Sequence, residues 1–264
     1  MKRYRAVLTG ASGGIGRAIA IALAPHCDAL LLVGRDAARL AQTAAAAGPA
    51  ARTLVADLAT ERGRNEVAAC LPAGANLLIN NAGAGDFARL ADQSDATLAR
   101  IVETNVLVPM QLVRRLLPLL EREPQAWILN VGSIFGYLGY PGQAAYSASK
   151  FALRGFNEAL RRELADGPVR VLYFAPRATH TAMNAAALCA LNAELGVAMD
   201  APAAVAEALV RLLRHPVRER LLGMPEKLFA RLNQLAPGLV DRALRRQLST
   251  IRRHLPASSQ GCST

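Results

Sequence analysis

The chain has 264 residues, of which 52% are hydrophobic, and its formal net charge at pH 7 is +11. This length fits one α/β domain, and the apolar content is ample for a large core. No run of about 18 uncharged apolar residues occurs, so the sequence predicts no membrane-spanning helix. The basic segments carry no known nucleic-acid motif and no interleaved aromatic residues, so the charge does not indicate nucleic-acid binding.

The four cysteines are scattered and lack the spacing of a metal or redox site. They are typical of reduced thiols in a cytoplasmic protein, and no metal site is predicted. The first apolar piece, Ala6–Thr9, is too short for the core of a signal peptide and is interpreted as a strand.

Short apolar runs alternate with helical stretches through about residue 175, a pattern typical of a parallel sheet covered by helices on both faces. We therefore predict a single doubly wound α/β domain. Helices are predicted over Arg17–Ala24, Thr97–Leu120 and Ala203–Arg214. The predicted strands are Arg5–Thr9, Ala29–Val33, Thr53–Ala56, Asn76–Asn80, Ala126–Val131 and Arg170–Phe174, with a short last strand at Arg220–Gly223.

The first predicted strand ends in a glycine-rich turn that leads into a helix. Glycines in this position permit a tight turn and let backbone N–H groups approach a pyrophosphate at the helix N-terminus. The turn therefore predicts dinucleotide binding by Gly10, Ser12, Gly14, Ile15 and Gly16. Ser12 could contact a phosphate or cap the turn, and the sequence leaves both open.

The end of the second predicted strand bears on which dinucleotide binds. Folds that prefer NAD place an acid here to bind the ribose 2′-hydroxyl, whereas this chain has Gly34 followed by Arg35. Because a guanidinium can pair with a 2′-phosphate, NADP(H) is predicted in preference to NAD(H). In the alternative, Arg35 is a solvated loop residue and Asp36 turns inward to the ribose.

Tyr146 and Lys150 are four residues apart on a predicted helix, and Tyr146 follows Ser133 by thirteen residues. Residues at this helical spacing share a face, so Lys150 can hold its charge near the Tyr146 hydroxyl. The ordinary pKa of a phenol is about 10, and a neighbouring ammonium would lower it toward values suited to general acid–base catalysis. The alternative is a pair on a solvated helix surface.

These motifs occur together in the order of one known family. Over about residues 5–225 the chain resembles the classical short-chain dehydrogenase/reductase (SDR) family, whose fold is of the Rossmann type. The matching residues are Thr9, Gly10, Gly14, Gly16, Asp57, Leu58, Asn80, Asn81, Ala82, Gly83, Asn105, Ser133, Tyr146 and Lys150.

The resemblance implies roles for the matching residues. Tyr146 would be the general acid–base catalyst, Lys150 would bind the nicotinamide ribose, and Ser133 would hydrogen-bond the substrate oxygen. Asn80 would brace the central sheet. The residues implied to line the adenosine half of the cofactor are Asp57, Leu58, Asn81, Ala82 and Gly83.

Asn105 lies inside a predicted helical stretch, where asparagine is a poor helix former. Pro109 stands four residues later and has no N–H, so the carbonyl of Asn105 loses its usual helix partner. In the resembled family this carbonyl holds a water that links the lysine to solvent, which implies a catalytic relay role for Asn105. The alternative is a simple proline kink.

The loop after the sixth predicted strand departs from the family, which usually has glycine after the proline and then a threonine that caps the nicotinamide amide. Here Pro176 is followed by Arg177, and a positive φ is not expected at an arginine. Thr179 or Thr181 could contact the amide, and the loop position favours Thr181. Arg177 either meets an acidic group of the substrate or points to solvent, and His180 is interpreted as a surface residue.

The C-terminal part is predicted to be helical. In the resembled family a variable lid covers the substrate at about residues 183–199, and here Met183, Leu188, Leu191 and Leu195 fit either an apolar pocket or core. Leucines recur at helical spacing beyond residue 225, with a break near Pro237. Between positions 211 and 253 the chain has eleven basic residues and three acidic ones.

We therefore divide the chain into a catalytic domain, residues 1–225, and a basic amphipathic helical extension with a tail, residues 226–264. The segment 226–255 is expected to pack on its own domain or on a second subunit. Contact with an anionic membrane surface or with an acidic partner such as acyl carrier protein is the alternative. Residues 256–264 are predicted to form a disordered tail.

Together these features predict a cytoplasmic, homo-oligomeric (dimeric or tetrameric) NADP(H)-dependent oxidoreductase that interconverts a carbonyl and an alcohol. The favoured substrate is an apolar or acyl-type ketone or aldehyde, with a β-ketoacyl thioester as the specific candidate. The alternative function is a catalytically silent NADP(H)-binding regulatory or scaffold protein. The chain keeps the full set of Asn105, Ser133, Tyr146 and Lys150, which argues against a protein without catalytic activity.

Overall fold

The computed structural model describes residues 3–181 and 186–256. Within these residues the centre is a seven-stranded sheet whose neighbouring strands are all parallel. The strand order, β3-β2-β1-β4-β5-β6-β7, reverses direction between β1 and β4, as in Rossmann-type folds. The strands are β1 Tyr4–Thr9, β2 Cys27–Gly34, β3 Ala51–Val55, β4 Leu77–Asn80, β5 Ala126–Val131, β6 Val169–Ala175 and β7 Glu219–Leu221.

Ten α-helices connect and flank the strands in the described ranges. They are α1 Gly14–Leu23, α2 Ala37–Ala47, α3 Glu61–Ala69, α4 Asp95–Val102, α5 Val108–Leu120, α6 Ala144–Glu163, α7 Ala186–Glu194, α8 Pro202–Arg214, α9 Met224–Leu235 and α10 Pro237–His254. The doubly wound fold predicted from the sequence is thereby confirmed. All six long predicted strands are present, with ends that differ by no more than two residues from those expected.

The helical stretch expected over Thr97–Leu120 is not one regular helix. A π-helical turn, Glu103–Leu107, separates α4 from α5, and the N–H of Val108 donates to the carbonyl of Glu103. Pro109 follows directly and cannot donate a backbone hydrogen bond, so the wide turn accommodates the missing N–H at this point.

Side chains that alternate along the strands pack into two hydrophobic cores, one on each face of the sheet. Neighbouring residues of a strand point to opposite faces of the sheet. Leu8 therefore joins the cluster that contains α1 and α8, whereas Val7 joins the cluster that contains α3, α5 and α6. Both side chains are fully buried, so helices cover the sheet on both faces at this point.

The C-terminal helix α10 packs on its own domain rather than projecting from it. Ile251 is fully buried in a cluster with Phe87, Leu188 and Leu191. Glu194 at the end of α7 also forms ion pairs with Arg253 and with His254 of α10. Leu188 and Leu191 are therefore core residues that tie α7 to α10. Met183, expected in the substrate pocket or core, and residues 257–264 of the expected tail lie outside the described residues.

In the described ranges, the helices include none that is long and apolar enough to cross a membrane.

The packing of α10 leads to a stability prediction. Replacing Ile251 with alanine should lower the free energy of unfolding by about 2–4 kcal/mol, because it leaves a cavity between α7 and α10. The matched control is Ile21→Ala on α1, where the side chain is 41% exposed and the expected change is within about 0.5 kcal/mol. Urea unfolding of both variants measures the difference, and equal effects would show that α10 is not part of the core.

Candidate active site

The loops after β1, β4, β5 and β6 meet at the carboxyl edge of the sheet, where doubly wound folds bind their ligands. They carry Gly10, Asn81, Ser133 and Pro176 respectively. The loops are joined by backbone hydrogen bonds, such as the one from the N–H of Ile134 to the carbonyl of Pro176 at 3.1 Å. The sheet thus brings together residues that are far apart in the chain.

Ser133 and Tyr146 meet at this edge, as the sequence predicts. Ser133 directly follows the loop glycine after β5, is 7% exposed, and its Oγ accepts from the N–H of Phe135 at 3.2 Å. Tyr146 lies in the first turn of α6, with its hydroxyl close enough to the Ser133 side chain for Ser133 to influence its pKa. The ring of Phe135 meets that of Tyr146 edge-on, with ring centroids 6.3 Å apart. Two hydroxyls are thus held side by side.

Lys150 is one helical turn after Tyr146 and is only 4% exposed. Its Nζ lies 5.7 Å from the centroid of the Tyr146 ring and donates to the carbonyl of Val131 at 3.1 Å. Burial disfavours the charged form and lowers the pKa of Lys150 to about 8. The helical spacing therefore brings the two side chains together, with the ammonium beside the ring.

The expected lowering of the Tyr146 pKa is not what the structure shows. Burial raises the pKa of Tyr146 above that of a free phenol, and the nearby Ser133 side chain opposes this only in part. The sequence correctly pairs the lysine with the tyrosine, but it does not reveal how strongly the phenol is desolvated. A tyrosine with a raised pKa stays protonated at neutral pH, which suits a proton donor.

Asn105 is 1% exposed and occupies the middle of the π-helical turn. Its side-chain oxygen accepts from the N–H of Ala84 at 2.8 Å, and its amide donates to the carbonyl of Ala84 at 2.8 Å and to Ser149 Oγ at 2.9 Å. Ser149 in turn donates to the carbonyl of Tyr146 at 2.7 Å. Asn105 therefore connects the loop after β4 to the helix of Tyr146. The sequence analysis missed Ser149, although it stands three residues after Tyr146 on the same helix.

Tyr173 supports the site from behind and was also missed. It is fully buried on β6, and its hydroxyl donates to the carbonyl of Lys150 at 3.3 Å. A Cβ at Gly132 would lie 2.0 Å from the Tyr173 hydroxyl oxygen, so only glycine fits immediately before Ser133. This close approach links β6 to the positions of both Ser133 and Lys150.

The glycine-rich turn is fastened to the loop after β4. Gly10 has φ +66°, and a Cβ there would lie 2.7 Å from the Cα of Ala82. The Asn81 amide donates to the carbonyls of Thr9 and Gly10, at 3.0 and 3.2 Å. Thr9 Oγ1 accepts from the N–H groups of Asn81 and Ala82, each at 3.0 Å. The side chain of Asn81 therefore holds the turn in place, a role that the sequence did not indicate.

The start of α1 fits a pyrophosphate. Asp36, Thr60 and Ser94 cap α2, α3 and α4 with their side chains, whereas the described residues supply no side-chain cap to α1 at Gly13. A Cβ at Gly13 would meet none of the described atoms within 4 Å, so there is open space beside the residue that precedes the helix. Unpaired N–H groups at a helix N-terminus are suited to an anion. Ile15, in the first turn, packs on the core beneath.

The end of β2 also affects the shape of the glycine-rich turn. A Cβ at Gly34 would lie 2.3 Å from Ser12 Oγ, so the missing side chain makes room for Ser12 rather than for a ligand. Arg35 is exposed at the strand end. Asp36 does not turn inward to a ribose, because its carboxylate accepts from the N–H of Arg39 at 2.9 Å and caps α2. Both residues are exposed, and Arg35 is the one whose side chain has no hydrogen bond or ion pair among the described residues.

The loop after β3 has a defined shape around Asp57. The Asp57 carboxylate accepts from the N–H of Ala59 at 3.1 Å, and Arg64 donates to the carbonyls of Leu58 and Ala59, both at 2.7 Å. Leu58 is buried in the core. Asp57 is therefore exposed at the carboxyl edge with a fixed backbone. Gly83 lies, partly buried, in the loop after β4.

Asn80 braces the sheet, as the resemblance implied. Its amide donates to the side-chain oxygen of Asn130 at 2.8 Å, and the Asn130 amide donates to Asn157 on α6 at 2.9 Å. All three side chains are buried, so they form an internal polar ladder from β4 through β5 to α6.

The loop after β6 separates the two candidate threonines. Thr179 is 4% exposed and donates to the carbonyl of Arg177 at 2.9 Å. Thr181 lies against the glycine-rich turn, since a Cβ at Gly14 would be 3.2 Å from its methyl group. His180 is exposed.

Both expectations for Arg177 are wrong. Its guanidinium bonds to Asp200 at 2.8 Å and to Glu226 at 3.4 Å, so it neither awaits a substrate acid nor points freely to solvent. Neither partner could be identified from the sequence, because they lie 23 and 49 residues away and are brought close only by the fold.

A cavity of about 540 Å³ opens between α10 and the loop before α6. A Cβ at Gly142 would meet Phe87 at 2.7 Å and Leu255 at 2.8 Å, so the C-terminal segment closely covers this loop. Gly142 stands four residues before Tyr146. The lining residues are Arg89, Pro141, Gly142, Leu248, Ile251, Arg252 and Leu255. Across the described ranges, histidine, cysteine and acidic residues form no group of three or more that could hold a metal ion.

Known proteins are similar to this chain in sequence and in fold. The ketoacyl reductase HetN of Nostoc is 30% identical over 252 residues, which cover 90% of this chain and 87% of HetN. The 3-ketoacyl-(acyl-carrier-protein) reductase of Brucella melitensis, solved with NADH, is 26% identical, with a TM-score of 0.74 over 82% of this chain and 95% of that one. A short-chain dehydrogenase of Burkholderia cenocepacia in complex with NADP shares the fold, with 23% identity and a TM-score of 0.79 over 92% and 98% of the chains.

The family model for short chain dehydrogenases matches residues 4–190, which include every residue from the glycine-rich turn to Thr181. With the hydroxyl pair of Ser133 and Tyr146, the buried Lys150 and the open start of α1 on a parallel sheet, the chain is an oxidoreductase of the short-chain dehydrogenase/reductase family.

Proposed function

We propose that this protein is an NADP(H)-dependent reductase that converts a ketone or aldehyde to an alcohol. The observation that carries the proposal is the neighbouring pair of Ser133 and Tyr146 with the buried Lys150 one helical turn away, its Nζ 5.7 Å from the centroid of the tyrosine ring. Asn105 is proposed to complete the catalytic set, because it positions the helix of Tyr146 through Ser149.

The chain's own residues would handle the oxygen and its proton. A bound nicotinamide would supply the hydride to the carbonyl carbon. Ser133 would donate a hydrogen bond to the carbonyl oxygen, and Tyr146 would transfer its hydroxyl proton to that oxygen as negative charge develops there. Lys150, charged at neutral pH, would hold the ribose hydroxyls and stabilise the phenolate that Tyr146 becomes.

The proposed contacts with the dinucleotide follow the site from one end to the other. Gly10, Ser12, Gly14, Ile15 and Gly16 would surround the pyrophosphate at the start of α1. Asp57, Leu58, Asn81, Ala82 and Gly83 would line the adenosine. Pro176 and Thr181 would border the nicotinamide, and the contact of Thr181 with the turn supports it over Thr179 for the amide.

NADP(H) is proposed over NAD(H). The support is local: Arg35 is exposed at the end of β2, and the neighbouring carboxylate of Asp36 is engaged as a helix cap. A guanidinium there can form charge-assisted hydrogen bonds with a 2′-phosphate. Related structures hold either NADH or NADP, so the preference has to be decided by the residues of this chain.

The proposed substrate is an acyl-type carbonyl, with a β-ketoacyl thioester as the specific candidate. Apolar residues of α7 and α10 stand beside the loop that leads to Tyr146. Arg89 and Arg252 line the same cavity and suit a negatively charged carrier group. The similarity to the HetN and Brucella ketoacyl reductases supports this choice.

We also propose a cytoplasmic homo-oligomer. Members of the family commonly form oligomers, and Val102 and Leu107 at the π-helical turn, together with Phe151 on the adjacent α6, are each more than 40% exposed. The free thiols of Cys27 and Cys70 fit a reducing compartment. Residues 226–264 are proposed as an extension that packs on the catalytic domain of residues 1–225.

Replacement of Tyr146 by phenylalanine tests the catalytic proposal. Removing the proton donor should lower kcat by about 10²- to 10⁴-fold with an acetoacetyl thioester and NADPH, because general acid catalysis contributes that much. Tyr4→Phe, on β1 at the far end of the sheet, is the control and should keep its rate. NADPH oxidation followed by absorbance gives both values. If Tyr146→Phe turns over normally, the mechanism is wrong, and if wild type binds NADPH but reduces no carbonyl, the silent alternative holds.

Replacement of Arg35 by serine tests cofactor choice. The Kd for NADPH should rise by about 10- to 100-fold, whereas the Kd for NADH should change little, because only NADPH carries the 2′-phosphate. The exposed Arg52 on β3 provides a control of equal charge change, Arg52→Ser. Fluorescence titration of wild type and both variants measures the Kd of each protein for NADPH and for NADH. An equal loss for both cofactors would assign Arg35 a structural role.

The depressed pKa of Lys150 predicts a pH-dependent stability. Below pH 8 the amine is charged in both the folded and the unfolded chain, but between about pH 8 and its ordinary pKa of 10.5 only the unfolded chain keeps the proton. The free energy of unfolding should therefore rise with pH in this window, by up to about 3 kcal/mol from this residue. Urea unfolding of wild type and Lys150→Met across pH 7–11 isolates the effect. A constant difference between the two proteins would contradict it.

A further inference from the structure

Helix α9 is oriented with its apolar side toward solvent. Met224, Leu228 and Leu235 are 74%, 67% and 87% exposed. Their spacing places them on one side of the helix, together with the exposed Arg231. Large apolar side chains in such a row are usually turned inward, so this arrangement needs a partner to explain it.

The opposite side of α9 is fixed by polar contacts. Glu226 bonds to Arg177 at 3.4 Å, and the Asn233 amide donates to the carbonyl of Tyr137 at 2.9 Å. Ala230 between them is buried against Tyr137 and its neighbours. Rolling the helix to hide its leucines would break these contacts, so the apolar side is held outward by the fold.

The same surface continues onto α10. Leu239, just past the turn at Pro237, is 51% exposed. Arg242 and Arg246 follow it at helical spacing on the solvent side, opposite the buried Val240 and Ile251. We call this surface the apolar–basic face, and its members are Met224, Leu228, Arg231, Leu235, Leu239, Arg242 and Arg246.

The charges of this face select the partner. Arg231, Arg242 and Arg246 form no ion pair with any of the described residues, and Asp241 is the only exposed acid between residues 224 and 256. A symmetric contact with a second copy would place the arginines of both copies in one interface, where Asp241 is the only exposed acid that each copy's residues 224–256 could offer them. Nucleic acid would satisfy the arginines but not the leucines. A surface with acidic headgroups above an apolar interior satisfies both.

We propose that the apolar–basic face docks the protein on the surface of an anionic lipid membrane. The leucines and Met224 enter the boundary between headgroups and acyl chains, and the arginines bind the headgroup phosphates. The chain is held at the surface and does not cross it. The proposal concerns α9 and α10 alone and does not depend on the reaction catalysed.

Vesicle flotation of the full chain tests the proposal. One set of vesicles contains one part phosphatidylglycerol to two parts phosphatidylcholine, and the other contains phosphatidylcholine alone. Wild type should float with the anionic vesicles and partition at least about tenfold less onto the neutral ones. The double variant Leu228→Ser/Leu235→Ser should partition about tenfold or more less strongly onto the anionic vesicles, because it loses apolar burial. The triple variant Arg231→Gln/Arg242→Gln/Arg246→Gln should lose most of its preference for phosphatidylglycerol.

Matched controls carry the same changes elsewhere on the surface. Ile21→Ser/Leu90→Ser replaces two apolar residues that are 41% and 57% exposed, and Arg52→Gln/Arg100→Gln/Arg122→Gln removes the same charge from other exposed sites. Both should float like wild type. Equal melting temperatures establish that the variants remain folded.

Three results would overturn the proposal. The first is equal binding of wild type to both kinds of vesicle. The second is unchanged flotation of the leucine variant while the arginine variant loses binding, which would show that the face holds the headgroups by charge alone and that its leucines do not enter the lipid. The third is a fall in oligomeric mass of the leucine variant without lipid, which would identify the face as a subunit contact.

Discussion

Lys150 holds an amine in a place that is 4% exposed, and a buried ammonium is tolerated only where its hydrogen bonds are supplied. The carbonyl of Val131 supplies one of them, at the carboxyl end of β5. This contact sets α6 against the strand that leads to Ser133, which is why the two hydroxyls meet. An ammonium has three donors, and the proposed cofactor ribose would use those that Val131 does not. Around this point Asn105 and Tyr173 hold α6 from two further sides.

The second fixed element of the site is the glycine-rich turn. It depends on Thr9 and Asn81, whose side chains form hydrogen bonds between the loops after β1 and β4. These loops meet where the strand order reverses, which is where doubly wound folds bind their ligands. The two side chains bond to the backbone of the facing loop, and the described residues supply no side-chain cap to the start of α1.

Sequence reasoning predicted the parts of the site that depend on short-range spacing. The turn at Gly10–Gly16 and the pair of Tyr146 and Lys150 belong to this group, because a helix or a tight turn brings their members together. It missed the contact of Ser149 with Asn105 and the approach of Tyr173 to Gly132. These contacts join separate strands and helices, and their geometry exists only after the sheet has formed.

The C-terminal helices show a different limit. The repeat of leucines correctly predicted two helices broken near Pro237, yet a repeat shows only which residues share a side. In α10 the repeat from Val240 to Ile251 faces the core, whereas in α9 the leucines face outward. The difference comes from Glu226 and Asn233, whose partners on distant loops could not be recognised from the sequence.

Arg177 fastens the loop after β6 to two other parts of the chain. Arg177 bonds to Asp200, and Thr179 pairs with Asp200 as an isolated bridge, so the two ends of the segment between them are fastened together. Arg177, Thr179 and Asp200 are therefore held together at the two ends of this segment. Since Arg177 also bonds to Glu226, this junction is tethered to α9. One guanidinium thus joins the helix at the surface to the loop beside the active site, with a carboxylate on each side of it.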